Sequence, residues 1–281
     1  MSATPAPAGR LGDTPERDYS LKLQRFNAFV APELRAAITT LRLEPGMRVL
    51  DAGCGTGETL GWLAGAVAPD GLAIGLDLSA CHLRMARSAL PQNAVLVQAD
   101  LQRTPLAAAS FDLVWSINTI NHLGDPLECV KLFTSLLRPG GRVALGQSSF
   151  LPDMYFAWDS RLERVTNEAV RQYYRDRYGI DERELAAIRS LVGWLRQAGL
   201  HNVSARTLMI ERVSPLGPAD VAYLVGAIFQ QTWGERLRPY LSAGDYDELT
   251  HLCDPQHPQF ALRRPDFHFL QTLTLVIAEA P

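Results

Sequence analysis

The sequence predicts an α/β protein built on a doubly wound, mostly parallel seven-stranded sheet whose last strand is antiparallel. The first observation is an alternation of short apolar segments with segments of helical periodicity, which is typical of parallel strands joined by helices. The predicted parallel strands are 49–52, 72–78, 94–99, 111–117 and 142–147. The second observation is that two further strands, 203–213 and 266–278, follow helical segments. The last of them alternates in part, which favours antiparallel pairing near an edge.

The predicted helices fill the intervals between these strands. Ahead of the first strand, apolar residues at three- and four-residue intervals predict helix over 16–43, with a second segment beginning at Pro32. Later helices are predicted at 58–68, after a cap at Ser79, and at 128–137, 185–198, 218–237 and 243–253. The N-terminal helices either close over a ligand or simply cover the sheet, and the sequence does not choose between these two roles.

A glycine-rich turn follows the first predicted strand. Residues 47–57 read Met-Arg-Val-Leu-Asp-Ala-Gly-Cys-Gly-Thr-Gly, with the glycines at the point where the strand must turn into a helix. Because Gly53, Gly55 and Gly57 have no Cβ, the backbone can take positive φ there and present N–H groups to a ligand that approaches closely. The sequence therefore predicts a nucleotide-binding loop at the carboxyl edge of the sheet.

Acidic residues end the next two strands. Asp77 follows the glycine turn at about 20 residues, the separation at which an acid reaches ribose hydroxyls in dinucleotide-binding folds. Asp100 ends the third strand in the same way. Either acid alone could simply cap the helix that follows it. Together with the glycine turn, the two acids favour a ligand site.

The composition and charge of the chain indicate which kind of partner and which compartment to expect. The chain has 281 residues, a net charge of −3 and a pI of about 6.1, so no charge pattern indicates a nucleic-acid surface, and a small molecule is the expected partner. Four cysteines without a CxxC pair, and the lack of a signal peptide or an apolar run of about 18 residues, favour a cytoplasmic protein that does not enter a membrane. Cys54 is expected to be a buried thiol, and no metal site is predicted.

The domain organisation follows from the segments outside the alternation. Residues 1–15 are rich in Ala, Pro and Gly and are predicted to be a disordered tail, so that 16–281 form one domain. Helical insertions at about 151–182 and 214–265 are predicted to form a cap over the sheet.

Five segments, in this order, resemble the class I S-adenosylmethionine-dependent methyltransferases of the small-molecule type. They are 49–57, 75–79, 98–100, 111–117 and 136–141, and the resemblance covers about residues 45–150. It implies a Rossmann-like fold that binds S-adenosyl-L-methionine and releases S-adenosyl-L-homocysteine. A nicotinamide-binding protein is the rival, but its fingerprint is GxGxxG, whereas Gly53 to Gly57 form GxGxG and are joined by the extra acid Asp100.

The resemblance implies roles for individual residues. Asp77 would accept from the ribose hydroxyls, Asp100 from the adenine amine, and Asp51 or the Asn118 backbone would meet the methionine ammonium. The full set of cofactor-binding residues that it implies is Asp51, Gly53, Cys54, Gly55, Asp77, Leu78, His82, Asp100, Leu101 and Asn118.

Candidate residues for the chemistry and for the acceptor are fewer. His122 lies a few residues beyond the fourth strand and is the leading candidate for a general base, although a histidine there could equally bond loop backbone. Tyr19 could close the pocket from the amino-terminal side. Aromatic residues of the insertions are expected to contact the substrate, although aromatics at helical spacing also suit the core of a cap. These are Tyr155, Trp158, Phe229 and Trp233.

The function that the resemblance implies is transfer of a methyl group to O, N or C of a small apolar or aromatic metabolite. The Asn/Asp-Pro-Pro-Tyr/Phe signature of nucleic-acid amine methylation is absent at 118–121, so no nucleic acid is expected as a partner. A homodimer is left open. Two alternatives remain: an S-adenosylmethionine-binding enzyme that catalyses a reaction other than methyl transfer, and a binding protein without catalysis.

Overall fold

The protein is described by a computed structural model, which covers residues 13–148, 155–156, 159–179 and 189–281. One sheet contains eight strands: β1 Arg48–Ala52, β2 Leu72–Asp77, β3 Ala94–Gln98, β4 Phe111–Ile117, β5 Leu137–Ser148, β6 Tyr155–Phe156, β7 His201–Val213 and β8 His268–Glu279. The α-helices are α1 Ser20–Thr40, α2 Glu58–Val67, α3 Ala80–Ala86, α4 Pro126–Leu136, α5 Ser160–Tyr178, α6 Leu191–Gln197, α7 Pro218–Val221 and α8 Ala243–Cys253. A π-helix, Ala222–Trp233, continues α7 directly.

The order of the strands confirms the predicted fold class. From one edge, the strands run β3, β2, β1, β4, β5 and β8, with the first five parallel, and β7 pairs with the outer side of β8. The strand β8 is antiparallel to both β5 and β7, as predicted for the last strand. The chain proceeds outward from β1 to β3 and then returns to β4 on the other side of β1. This switch point between β1 and β4 is where ligands bind in open α/β sheets.

Helices cover both faces of the sheet, and each face has its own hydrophobic core. Val49 on β1 packs in the core that includes α1 and α2, whereas its neighbour Leu50 packs in the core that includes α4 and α6. This division follows from the pleat of a strand, which directs successive side chains to opposite faces. Among the described residues, no helix is long and apolar enough to cross a membrane.

The N-terminal helix differs from the prediction, because α1 is continuous from Ser20 to Thr40 with Pro32 inside it. An interior proline removes one backbone hydrogen bond and costs about 3 kcal/mol. Burial on both sides of the proline outweighs that cost: Phe29, Val30, Leu34 and Ile38 are all at most 5% exposed, and each contributes roughly 1.5–3 kcal/mol.

Three other elements differ from their predicted form. Residues 138–141 do not separate α4 from β5 but belong to the strand, where the register shifts between Phe111 and Leu113 on the neighbouring β4. The helix predicted at 218–237 ends at Trp233 and is followed by two short 3₁₀ turns, Gly234–Arg236 and Arg238–Tyr240. The short strand β6 lies within the insertion predicted to be helical, and it pairs with β8 at Phe269 and Leu270.

Arg212, near the end of β7, ties the sheet to α1 and to α7. Its guanidinium donates to both carboxylate oxygens of Glu33 at 2.7 and 3.1 Å, to Asp220 at 2.8 Å and to the Phe29 carbonyl at 2.6 Å. It also lies over the Phe29 ring at 4.7 Å. Only 15% of the Arg212 side chain is exposed, so these bonds operate largely away from solvent.

We expect Arg212→Met to lower the free energy of unfolding by about 2–3 kcal/mol, because it leaves two carboxylates without their cation in a mostly buried place. Urea denaturation measures the change. Arg264→Met is the matched control, since Arg264 also pairs with an aspartate but both partners are well exposed, and little change is expected there. Equal effects of the two substitutions would contradict a special role for Arg212.

Candidate active site

A cavity of about 1110 Å³ opens at the carboxyl ends of β1, β2 and β4, at the switch point of the sheet. Its wall includes the glycine turn after β1, residues that follow β2 and β4, the segment from Asp13 into the first turns of α1, and residues of α5 and of the helix Ala222–Trp233. Ligand pockets usually measure about 300–1000 Å³. The cavity is therefore large enough for a nucleoside cofactor and a second small molecule.

The glycine turn adopts the backbone conformation that the sequence predicts. Gly53 and Gly55 have φ angles of 82° and 52°, and a Cβ at Gly53 would lie 2.3 Å from the Thr119 hydroxyl. The N–H groups, however, are already bonded: those of Gly53 and Cys54 donate to the Leu76 carbonyl, and that of Gly55 donates to Asp77. The expectation that these N–H groups face a ligand is therefore wrong. The turn offers close approach instead, through its missing side chains.

Asp77 organises the cofactor side of the cavity. One carboxylate oxygen accepts from the Gly55 N–H at 2.9 Å, and the other accepts from the Ser79 N–H at 2.8 Å and lies 3.2 Å from Nδ1 of His82. A carboxylate has about four lone-pair sites, so acceptor capacity remains beside these three contacts. Asp77 lines the cavity and at the same time fixes the start of α3, so the two roles weighed from the sequence are compatible.

His82 is 1% exposed and lies behind Tyr19, whose ring meets it edge-on with 4.4 Å between the ring centroids. The Tyr19 N–H points to Nε2 of His82 at 3.5 Å, which leaves Nδ1 as the donor to Asp77. His82 therefore orients the Asp77 carboxylate. Leu78, which the resemblance places on the adenine, also lines the cavity.

Asp100 and Leu101 form the far end of the same wall. One Asp100 oxygen accepts from the Gln102 N–H at 2.9 Å and begins the 3₁₀ turn Leu101–Arg103. Both residues line the cavity, together with Asp77 of the neighbouring strand. The arrangement places two carboxylates side by side at one edge, as expected for neighbouring parallel strands.

Asp51 is a buried carboxyl group whose pKa is raised. It is 3% exposed, and among the described residues its Oδ2 has no hydrogen-bond partner although it lines the cavity. Burial, and then the nearby carboxylates of Asp77 and Glu58, raise its pKa to about 8. A buried carboxylate in this state is complementary to a cationic group of a ligand, such as an ammonium.

Asn118 directly follows β4 and has a positive φ of 55°, which is uncommon outside glycine. Its side chain accepts from the N–H and the hydroxyl of Ser148 at 2.7 and 2.8 Å, and its N–H donates to the Gly146 carbonyl. These bonds to β5 hold the strained backbone beside the cavity. Such strain commonly marks functional positions.

His122 meets a partner that the sequence did not indicate. Its Nδ1 lies 2.8 Å from a carboxylate oxygen of Asp13, and both residues line the cavity. Burial acts to raise the pKa of Asp13, but the hydrogen bond and charge of His122, with a contribution from Arg17, hold it below its usual value. Asp13 is 109 residues from His122 and lies in the segment predicted to be a tail, so no local signal pointed to it.

The other residues of that segment are also bonded to the site. The Pro15 carbonyl accepts from the Ala80 N–H at 3.2 Å, and the Arg17 carbonyl accepts from the Ser79 hydroxyl at 2.8 Å. Residues 13–15 thus belong to the folded part of the chain, while 1–12 lie outside the described residues. Tyr19 lines the cavity as predicted, and burial, followed by the charges of Asp13 and Asp77, raises its pKa, so its phenol is a donor at neutral pH.

The aromatic residues predicted to contact the substrate are not on the cavity wall where the structure describes them. Phe229 and Trp233 are 3% and 1% exposed, stack on each other at 5.5 Å and belong to the hydrophobic core. The prediction for these two is wrong, because periodicity alone does not say which face of a helix meets a cavity. The side chain of Tyr155 and the whole of Trp158 lie outside the described residues. Among the described residues, the aromatic lining consists instead of Tyr19, Phe26, Trp115, Tyr173, Tyr174, Tyr178 and Tyr223.

The sequence also did not indicate a role for three buried polar groups on the cavity wall. The Trp115 indole N–H, the Asn121 Oδ1 and the Gln147 Oε1 are buried, line the cavity, and have no hydrogen-bond partner among the described residues. Buried polar atoms are normally paired, so unpaired ones beside a cavity indicate contacts with a ligand or with water. Cys54 also lines the cavity, but burial raises the pKa of its thiol, which disfavours the reactive thiolate.

The fold and the acidic, glycine-lined wall define a nucleoside-cofactor site of the methyltransferase type, and comparison with known proteins agrees. A family model described as a methyltransferase domain matches residues 50–145. The malonyl-[acyl-carrier protein] O-methyltransferase of Pseudescherichia vulneris is 35% identical over 193 residues, which are 60% of this chain and 74% of that protein. The chain belongs to the class I S-adenosylmethionine-dependent methyltransferase family.

Two further comparisons give the extent of the similarity. The 27-O-demethylrifamycin SV methyltransferase of Amycolatopsis mediterranei is 33% identical over 117 residues, or 40% of this chain. The phosphoethanolamine N-methyltransferase 2 of Haemonchus contortus, solved with S-adenosyl-L-methionine, shares the fold with a TM-score of 0.53 at 18% identity, over 89% of this chain and 52% of that one. The chain spans only 44% and 42% of the length of two of its curated relatives.

The raised pKa of Asp51 predicts a pH-dependent stability of the ligand-free protein. Because the folded pKa is above the unfolded value near 3.8, the folded state keeps a proton that the unfolded state loses, and the Asp51 contribution declines as pH rises toward 8. We expect Asp51→Asn, which cannot titrate, to unfold with a smaller loss of stability between pH 5.5 and pH 8, as measured by urea denaturation. Asp70→Asn, on the exposed turn before β2, should retain the wild-type pH slope. An unchanged slope in Asp51→Asn would contradict the assignment.

Proposed function

We propose that the chain transfers the methyl group of S-adenosyl-L-methionine to an oxygen, nitrogen or carbon atom of a small molecule bound in the same cavity. The observation that carries the proposal is the convergence of Asp51, Asp77 and Asp100 with the glycine turn on one cavity that also contains His122. The relatives described above support methyl transfer, and the similarity to a malonyl-[acyl-carrier protein] O-methyltransferase favours oxygen as the acceptor atom.

The residues present fit the cofactor. The buried Asp51 oxygen without a partner suits the methionine ammonium, the Asp77 carboxylate retains acceptor capacity for the ribose hydroxyls, and Asp100 is in place for the adenine amine. The Asn118 backbone, held by Ser148, would lie beside the ammonium. When bound, the cofactor supplies an already activated sulfonium methyl group. The chain therefore has to align the acceptor and exclude water.

The Asp13–His122 pair would act on the acceptor. Asp13 fixes the imidazole by its bond to Nδ1, so that Nε2 is left to take the proton of an acceptor hydroxyl or amine. The ionised carboxylate of Asp13 then stabilises the imidazolium that forms. The inserted helices, α5 and Ala222–Trp233, serve as a cap in this proposal, since both contribute residues to the cavity wall.

The proposed function also specifies the class of acceptor and the cellular compartment. The acceptor is a small molecule rather than a nucleic acid, in agreement with the net charge of −3, and the protein is cytoplasmic. Whether it acts as a monomer or a homodimer is left to measurement of its mass in solution. Titration calorimetry with S-adenosylmethionine and S-adenosylhomocysteine tests the shared premise. A labelled-methyl assay over a metabolite panel then separates a methyltransferase from an enzyme of another reaction and from a non-catalytic binding protein.

For cofactor binding, we expect Asp77→Ala to weaken S-adenosylhomocysteine binding by about 1–3 kcal/mol, the loss typical of charge-assisted hydrogen bonds. The matched control is Asp125→Ala, because Asp125 also accepts from a helix N-terminal N–H but does not line the cavity. The control should lose helix-cap stability and keep full affinity in calorimetry. If both variants bind S-adenosylhomocysteine with the same affinity, Asp77 only holds Ser79 and the glycine turn in place.

For catalysis, we expect His122→Ala to lower turnover by roughly 10²–10⁴-fold, the usual contribution of a positioned general base, with unchanged affinity for S-adenosylhomocysteine. Asp13→Asn should lower kcat in the same direction, and Asp13→Glu should restore part of it. His201→Ala is the control, since that histidine is half exposed at the start of β7. Full activity of His122→Ala on the true acceptor would leave the pair with a structural role.

A further inference from the structure

The cap side of the cavity contains a group of cations that the proposed methyl transfer does not use. Lys22, Arg17 and Arg236 all line the cavity, together with the tyrosines of α5. Arg17 is paired with Asp13 at 3.1 Å. For Lys22 and Arg236, in contrast, no carboxylate lies within ion-pair distance in the part of the chain that the structure describes. Two cations that have no carboxylate partner among the described residues therefore face one cavity.

Lys22 is partly buried, whereas Arg236 is exposed. Its ammonium donates to the Thr232 hydroxyl at 3.1 Å, and that hydroxyl in turn donates to the Ala227 carbonyl at 2.6 Å. Burial, followed by the positive charges of Arg236 and Arg17, lowers the pKa of Lys22 to about 8. Asp18 and Glu235 are also on the cavity wall. The chain has only two lysines, and the other, Lys131, pairs with Glu128 on the exposed side of α4.

The direction of Lys22 separates it from the cofactor half of the cavity. Its neighbour Leu23 faces the glycine turn, since a Cβ at Gly55 would lie 3.0 Å from the Leu23 side chain. Consecutive residues of a helix do not face the same way. Lys22 bonds to the helix Ala222–Trp233, and Arg236 follows that helix and lies 5.9 Å from the Tyr173 ring centroid. The cations thus belong to the cap side.

We propose that the methyl acceptor is an anionic small molecule, whose carboxylate or phosphate is bound by Lys22 and Arg236 while its apolar or aromatic body lies among the cap tyrosines. The inference rests on the proposed function for the role of the other half of the cavity. An ammonium and a guanidinium that donate to the same oxyanion form strong, charge-assisted hydrogen bonds. The negative charge of the anion also offsets the repulsion between the two cations. The acceptor atom would then be presented between this anchor and His122.

The test measures binding of matched probes to the protein saturated with S-adenosylhomocysteine. The probes are 3,4-dihydroxybenzoate, 3,4-dihydroxybenzamide and phenyl phosphate. Calorimetry measures the affinity of the protein for each of them. We expect the preferred anion to bind at least about tenfold more tightly than the amide, since tenfold corresponds to about 1.4 kcal/mol. Lys22→Met should remove this preference, and Lys131→Met should keep it. The carboxylate and phosphate arms show which oxyanion is preferred.

A second measurement needs no variant of the site. With only two lysines, the acetylation of each by acetic anhydride can be followed by mass spectrometry of the wild-type protein. At pH 8, the preferred anion should slow acetylation of Lys22, because a bound anion keeps the amine protonated, and should leave Lys131 unchanged. The amide should protect neither lysine.

Two outcomes would overturn the proposal. In one, the anions show no advantage over the amide and do not protect Lys22. In the other, Lys22→Met loses affinity for S-adenosylhomocysteine while the preference for anionic probes persists, which would assign Lys22 to the cofactor carboxylate. Failure of the proposed function is distinguishable, because the wild-type protein would then not bind S-adenosylhomocysteine. The acetylation measurement does not need the cofactor and therefore tests the anion site independently.

Discussion

The site depends on one topological constraint, the reversal of strand order at β1. Because the chain extends outward to β3 and then returns to β4, the turns after β1, β2 and β4 all open at the same edge without a helix crossing between them. Asp77 converts this proximity into a fixed geometry, since it bonds both to the Gly55 N–H of one turn and to the Ser79 N–H of the next. One carboxylate thus holds the glycine turn, holds Ser79 at the start of α3 and faces the cavity.

The cavity has carboxylates on its sheet side and a group of cations on its cap side. Carboxylates line the end formed by the sheet, where Asp51 stays largely protonated without a cationic partner. Cations line the cap side, where Lys22 of α1 has a lowered pKa, although Asp18 and Glu235 also lie on the cavity wall. Each end destabilises its own charges, and each is therefore complementary to a ligand of opposite sign. This separation gives a physical basis for two different ligands in one continuous space.

The sequence predicted the elements that local pattern determines. The bounds of β4 and of α8 agree with the prediction, as do the glycine turn and the Ser79 cap, because each depends on residues within a few positions. Pro32 was read as a break since its local cost is evident, whereas the burial that outweighs it comes from distant segments. Phe229 and Trp233 were assigned to the substrate because aromatic spacing does not distinguish a core face from a cavity face.

The residues that escaped prediction share one property: their partners are far away in sequence. Asp13 is hydrogen-bonded to His122, 109 residues away in sequence, and Lys22 to Thr232, 210 residues away. Both lie in the segment that runs from residue 13 into α1, which also bonds Ser79 and Ala80 near the cofactor side. The segment therefore does more than cover the sheet, because it contacts the start of α3, the proposed base His122 and the helix Ala222–Trp233. One short stretch thus joins the two sides of the cavity that the proposed function assigns to the cofactor and to the acceptor.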